Sequence, residues 1–409
     1  LKRDKKIKIC FLADKHGLYD DRIYWKMAVP LSQRGYEVSY LLIGDKEEEG
    51  LTQEGILYKM LKLKTLSKNR YINFVLKNLH PYNNYKSLYR EAQKIAAEIY
   101  HFHDLWINRI GRKLKRLPHH PVVFYDAREP HADDYVSFSP LKGIFKKAIA
   151  CFAFLLDRWE KRQAAHYDLV ISTEEIVRDR FREKLGADKV EVLFNYTDKH
   201  HAYDKVPLAR KPYDFIYSGG ITALRGAFKI LEATRLALKH VPDIRVVFVG
   251  KYSPEGLQED MQQFIDKNHL QEHVILHPFV DYGRISDYYN NSKVGLVPWF
   301  PYPTFKVKMP IKLFEYMAFG MPVIGSNFGH IKAYIEKENC GLVVNPMNAA
   351  EIADAMVELM RNPQQCMTYA NNGRTATLQK YRWELELEKL ITYYERSLKE
   401  RIRKIRSDG

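Results

Sequence analysis

The sequence predicts an α/β protein of two domains, each a parallel sheet covered by helices on both faces. Three observations predict it. At 409 residues the chain exceeds the size at which one hydrophobic core stops growing. Short apolar runs of strand length alternate with helical patterns along most of it. The alternation breaks at residues 195–212, NYTDKHHAYDKVPLARKP, which carry two prolines and no apolar periodicity, and then resumes. The predicted division is 1–200, 201–380 and a C-terminal helix over 381–409.

The first strand is predicted at 7–13, followed by the loop DKHGLYDD and a helix over 22–34 that Gly35 closes. Further strands fall at 37–43, 99–102, 122–125, 168–171 and 190–193. Helices fall at 86–97, 105–117, 144–165 and 174–185, the last stopped by Gly186. After the linker come strand 215–217, helix 226–240, strand 244–249, helix 255–268, strand 274–276, helix 282–291 and strand 294–297. Helix 311–319 with Gly320 as its stop, strand 323–324 and helices 348–360 and 363–378 complete the second series. Over 381–406, Trp383, Leu387, Ile391, Tyr394, Leu398, Ile402 and Ile405 recur three or four apart, which makes one apolar stripe on a long helix. That stripe is expected to pack on a domain, crossing back to the first.

Hydrophobic content of 46% and charged content of 28% are those of an ordinary globular protein. A net charge of +15 points to an anionic partner. No helix-turn-helix, zinc-finger or RNP pattern accompanies the charge, so nucleic acid is set aside. The four cysteines (Cys10, Cys151, Cys340, Cys366) lie far apart and read as buried thiols in a reducing compartment. The start is polybasic without a secretory signal, so a cytoplasmic location is expected. No run of about 20 apolar residues occurs. Two segments, 148–156 (AIACFAFLL) and the basic 59–77, suit either a core helix and a basic surface or peripheral contact with an anionic membrane on its inner face.

The chemistry concentrates at 304–325, TFKVKMPIKLFEYMAFGMPVIG. Pro310 bends a loop into a helix start, Lys312 lies in the first turn, and Glu315 sits among apolar neighbours. Free N–H groups and the positive end of the helix suit a diphosphate there, with a sugar diol on the carboxylate one turn later. A second loop, SGGITALRG at 218–226, offers Gly219 and Gly220 for close backbone approach and Arg225 as a cation. Its spacing is not that of a dinucleotide fingerprint. Asp20-Asp21 and Asp133-Asp134 have no further ligands at metal-site spacing, so no metal is expected.

The run GGITALRG, VVFVGKYS, HPFVDYGRISDYYNNSKVGLVPW, MPIKLFEYMAFGMPVIGS and NCGLVVNP resembles the donor domain of family-four retaining glycosyltransferases of the GT-B fold. Within them it is similar to the bacterial branch that builds surface polysaccharides. YHFHD, VFYDAREP and DLVISTEEI extend the resemblance to the first half. It implies two Rossmann-like domains facing a cleft, the donor nucleotide on the second, and a metal-independent hexosyl transfer without a cofactor. Carried over by position, Arg225 holds the donor diphosphate, Glu315 the ribose hydroxyls, Phe279 and Val280 touch the base, and His16 with Gly17 faces the phosphates. Lys312 stands where members of the branch also carry Lys. Two positions depart from the family. Val307 stands where the first glutamate of the paired motif belongs, eight residues before Glu315, and Arg128 stands where a histidine is common.

His103, Asp104, Asp126 and Glu129 are strand-end polar groups of the first domain, and each reads equally as a cap, a salt-bridge partner or a catalytic group. The resulting expectation is a transferase moving a sugar from a nucleoside diphosphate sugar to a hydroxyl of a lipid-linked or cell-surface polysaccharide acceptor, with retention. Arg225, Glu315, His103 and Glu129 are its candidate catalytic residues. A nucleotide-sugar epimerase or phosphorylase on the same frame, and a non-catalytic partner subunit, are the alternatives.

Overall fold

The computed structural model of the protein describes residues 6–63, 82–137, 143–281 and 283–407. The chain forms two compact units, Leu1–Asn195 joined by Glu386–Gly409, and Tyr196–Leu385.

The first unit holds an eight-stranded sheet. Its strands are β1 (Lys8–Ala13), β2 (Glu37–Gly44), β3 (Glu48–Leu51), β4 (Leu57–Lys62), β5 (Ile99–His103), β6 (Val122–Ala127), β7 (Leu169–Ser172) and β8 (Val190–Val192). They lie in the order β3-β4-β2-β1-β5-β6-β7-β8, and every pair except β3–β4 is parallel. The chain winds outward from β1 to β2 and β4, then returns to the other side of β1 with β5. The winding direction therefore reverses between β1 and β5, where ligands of such sheets bind beyond the carboxyl ends.

The hairpin β3–β4 was not expected, because its strands lack an apolar run. Charge and register build it instead. Glu49 lies opposite Lys59 and pairs with it at 2.7 Å, and the Tyr58 hydroxyl donates to Glu48 at 2.9 Å. Such cross-strand pairs suit an exposed edge. The helix expected over 22–34 divides into a π-helical stretch, Asp21–Ala28, and an α-helical turn, Val29–Gln33. Asp20 caps it, its Oδ1 accepting from the N–H groups of Arg22 and Ile23 at 3.0 and 2.9 Å. Pro30 has no N–H to bond back four residues, and the winding changes beside it.

The helix Trp383–Ser407 follows the predicted stripe through Leu387 and Tyr394, which are buried. Ile402 and Ile405 at its end are about half exposed, so the stripe is used only in part. The Tyr394 hydroxyl meets His101 Nδ1 at 2.6 Å, and its ring packs edge-on against Phe124. Beside them, Arg22 Nε donates to Asp126 Oδ2 at 2.8 Å with both side chains fully buried. His103 stacks on His101 in the same layer.

The second unit is a six-stranded, all-parallel sheet. It comprises β9 (Tyr213–Ile221), β10 (Val246–Tyr252), β11 (Val274–His277), β12 (Ser292–Val297), β13 (Val323–Ser326) and β14 (Gly341–Val344), in the order β11-β10-β9-β12-β13-β14. Its reversal lies between β9 and β12. β9 runs farther than the apolar pattern predicted, because Ser218, Gly219 and Gly220 stay paired with Val249, Gly250 and Lys251. The two glycines are therefore strand residues rather than the start of the loop.

No helix among the described residues is long and apolar enough to cross a membrane. Segment 148–156 lies in the helix Ile144–Ala164, which buries Ala153 and Leu156 and exposes Phe152, Phe154 and Leu155. Cys151 is on that outer face too, contrary to the expectation of four buried thiols; the other three are buried. Residues 59–62 of the basic segment belong to β4, and 64–77 lie outside the described residues.

Candidate functional site

In the second unit, polar and basic groups gather where the winding reverses. After β9, Thr222 accepts from the Arg225 N–H through Oγ1 at 3.2 Å, closing a tight turn over Ala223–Arg225. Gly226 follows at φ 86°, and a Cβ there would strike the carbonyl of Pro298, so only glycine fits. The turn aims Arg225 back along the strand. Its Nη1 donates to Gly220 O at 3.1 Å, and the guanidinium lies over Trp299 at 5.1 Å and Phe305 at 5.9 Å. Lys312 comes from the first turn of the helix Ile311–Ala318, whose N-cap is Pro310. Its Nζ donates to Ser218 O and sits 3.7 Å from the Tyr217 ring centroid. Burial, then the neighbouring Arg225, hold Lys312 well below the ordinary lysine value, against the pull of Glu315.

Glu315, one turn on, neither faces water nor stands alone. The Tyr289 hydroxyl donates to Oε2 at 2.8 Å, and Lys199 Nζ lies 3.0 Å from Oε1. Tyr289 also meets Ser218 Oγ at 3.0 Å, and Ser218 meets the Tyr316 hydroxyl at 3.0 Å. One hydrogen-bonded chain therefore ties the carboxylate to β9. Sequence reasoning missed Tyr289 and Lys199: the first fell inside a helical pattern and the second inside the featureless linker. Phe279 and Val280 follow β11, with Phe279 two-thirds exposed at 67%. Val307 ends the short helix Pro303–Val307.

In the first unit the corresponding reversal carries a second cluster. His16 Nδ1 lies 2.9 Å from Asp20 Oδ2, and Nε2 lies 3.0 Å from Asp104 Oδ1. Arg128 Nη1 reaches Asp20 Oδ1 at 3.2 Å, and the Arg128 carbonyl accepts from Thr173 Oγ1 at 2.8 Å. Asp104 adopts φ 75°, a conformation that costs a non-glycine residue about 1–3 kcal/mol. Its Oδ2 accepts from the N–H groups of Asp14 and Lys15 at 2.9 and 3.1 Å, which sets the loop after β1. The exposed Gly17 lies in that loop, its carbonyl accepting from Tyr40.

Burial opposes charge on His16, but the hydrogen bonds to Asp104 and Asp20 outweigh it and push the imidazole up to about 9. Asp104 is held well below the usual carboxylate range: burial raises it, and the bonds from His16 and the two amides overcome that. Asp14, by contrast, is pushed up to about 7 by burial and the charge of Asp104. His103 is not part of this cluster. It is fully buried beside Asp126, with Nδ1 3.4 Å from Oδ2, and burial holds it well below the ordinary histidine value. Glu129 is exposed beyond β6. The two aspartates of the pair 20–21 divide their work, Asp20 serving His16 and Arg128 while Asp21 pairs with Lys26 at 2.8 Å. Two groups among the described residues place metal-ligating atoms within 4.8 Å of one another, His101–His103–Asp126 and His200–His201–Glu384.

The raised His16 value makes a pH prediction. An unfolded histidine titrates near ~6.5, so the His16 contribution is complete below that pH and is lost as pH rises through about 9. Urea midpoints of the native protein and His16→Gln should converge between roughly pH 6.5 and 9. A constant gap across that window contradicts the assignment.

Residues 198–376 match a family profile described as Glycosyl transferases group 1. The D-inositol 3-phosphate glycosyltransferase of Arthrobacter sp. is 25% identical over 42% of this chain and 40% of its own length. The chain thus spans less than half the length of the curated inositol-phosphate relatives it matches. Among solved structures, sucrose-phosphate synthase from Thermosynechococcus elongatus superposes with TM-score 0.72 at 16% identity, covering 96% of this chain and 99% of that one. Anabaena HepE, solved in complex with UDP, gives TM-score 0.67 at 16% identity over 94% and 99% of the two chains. These likenesses fix the architecture as the two-domain GT-B fold. The profile match over 198–376 covers nearly the whole of the unit Tyr196–Leu385, which is similar to a glycosyl transferases group 1 domain.

Proposed function

We propose that the protein is a family-four, retaining glycosyltransferase that moves a hexosyl group from a nucleoside diphosphate sugar to a hydroxyl of a lipid-linked or cell-surface polysaccharide acceptor. One observation carries the reading. Arg225, Lys312 and the start of the helix Ile311–Ala318 stand at the reversal of the second sheet, with the Glu315 carboxylate one turn away. Anabaena HepE, which shares the fold, has been solved with UDP and with UDP-glucose. On this reading the diphosphate lies against Arg225 and Lys312, and Glu315 accepts from the ribose hydroxyls.

Departure of the sugar leaves negative charge on the diphosphate, and fixed positive charge aimed at it lowers the barrier without reorganisation. The chain supplies that charge itself, so we read the transfer as metal-independent and without a cofactor. A diphosphate beside Lys312 would restore its ammonium form, which burial and Arg225 disfavour in the free protein. Gly219 and Gly220 keep the floor of the site low, and Phe279 and Val280 flank the base. Val307 cannot accept from sugar hydroxyls, so sugar selection rests on other groups.

The test is turnover with UDP- and GDP-sugars and lipid-linked acceptors. Arg225→Ala should lower turnover about a hundredfold or more while leaving the melting temperature nearly unchanged. Glu315→Gln should weaken donor binding about tenfold by calorimetric titration, and it should also lower stability, because the buried ion pair with Lys199 loses its negative charge. Unchanged turnover and affinity in both variants contradict the proposal. Epimerised donor without acceptor would indicate an epimerase, phosphorolysis a phosphorylase, and no donor binding a non-catalytic subunit.

A peripheral position on an anionic membrane, on the cytoplasmic side, belongs to the same reading. Phe152, Phe154 and Leu155 are exposed on one helix, with Lys146 and Lys147 exposed at its start. The protein should cosediment with phosphatidylglycerol vesicles at low salt, and Phe154→Ser with Leu155→Ser should reduce this severalfold. No sedimentation of the native protein rejects it.

A further inference from the structure

We propose that His200, His201 and Glu384 form a binding site for a divalent transition-metal ion of the zinc type. His200 Nε2 lies 3.7 Å from Glu384 Oε1, and His201 Nε2 lies 3.1 Å from the same oxygen. A tetrahedral zinc ion with bonds of about 2.0–2.1 Å sets its ligand atoms about 3.3 Å apart. The two spacings to Glu384 Oε1 bracket that value, and all three ligand atoms lie within 4.8 Å of one another, so side-chain rotations bring them onto one ion.

The backbone holds the two contributing segments together. Thr197 and Arg382 form a parallel bridge, and the Trp383 N–H donates to Thr197 O at 2.9 Å. Trp383 itself is buried and anchors the segment that carries Glu384. On the other side, the 3-10 turn Lys199–Ala202 is fixed by the Lys199 N–H donating to Thr197 Oγ1 at 3.1 Å. Two histidines adjacent in sequence are thereby held against one carboxylate before any ion arrives.

Burial is graded in the way an ion site needs. The His200 side chain is 4% exposed, Glu384 34% and His201 74%, so an ion enters from the His201 side and keeps an open position for water. Glu384 Oε2 is buried and hydrogen-bonds nothing among the described residues. A carboxylate oxygen deprived of both water and a donor is costly, and a cation offsets that cost. The core group His101–His103–Asp126 lacks this opening: all three are fully buried, and Arg22 already occupies the cation position on Asp126.

The ion stands outside the transfer chemistry proposed above, but the same turn carries Lys199, which pairs with Glu315 at 3.0 Å. A bound ion therefore stiffens the segment that holds that carboxylate. The test uses the full chain without a histidine tag, titrated with Zn²⁺ by calorimetry and with Co²⁺ by visible absorption. One equivalent should bind with the d–d bands of a tetrahedral Co²⁺ site. His201→Ala and Glu384→Gln should each bind at least about tenfold more weakly and lose those bands. His201 is exposed, so its variant should keep the native circular dichroism. No binding by the native protein, or undiminished binding in both variants, overturns the proposal.

Discussion

The Glu315 carboxylate is nearly out of water, with 12% of its side chain exposed, and it is compensated from two directions. Lys199 reaches it from the turn that opens the second unit, and Tyr289 from the helix Ile285–Asn290 before β12. Removing one partner from a buried ion pair costs about 3–5 kcal/mol, so this carboxylate constrains the segments around it. Through Tyr289 and Ser218 the constraint reaches β9, whose end carries the glycines and whose following turn aims Arg225. The basic groups and the acid are thus parts of one bonded unit.

A comparable device organises the first unit. Asp104 leaves β5 in a strained conformation and bonds two amides of the loop after β1. It also holds His16, which Asp20 holds from the other side. Arg128 completes the group from the end of β6. Its guanidinium, always charged, stands where a histidine was expected from resemblance; the titratable ring of this cluster is His16 instead. Both clusters occupy the place where their sheets reverse winding, which topology alone makes the open end of a parallel sheet.

Much of this was legible in the sequence, because parallel strands buried on both faces read as apolar runs, and the helix stops fall at Gly35, Gly186 and Gly320. Turns of charge and register were not. The hairpin β3–β4 depends on Glu49 meeting Lys59 and Glu48 meeting Tyr58, contacts between positions that no periodicity links. The paired state of Gly219 and Gly220 was hidden because glycine favours no strand by itself. Arg225, Lys312 and Glu315 were legible from local spacing, whereas the partners of Glu315 come from 116 and 26 residues away in sequence and required the fold. His103 lies apart from the His16 cluster, in a buried layer. A histidine at a strand end suggested chemistry, but the C-terminal helix brings Tyr394 to its neighbour His101 and the layer closes over both.

The proposed function depends on a nucleoside diphosphate binding at the reversal of the second sheet. Hydrogen–deuterium exchange with and without UDP or GDP addresses it directly, because it reports where protection appears. Protection should concentrate in peptides covering 218–226 and 311–318, with a smaller effect at 285–290 through Tyr289. Protection at neither of the first two segments, in the presence of a nucleotide shown by calorimetry to bind, would contradict it.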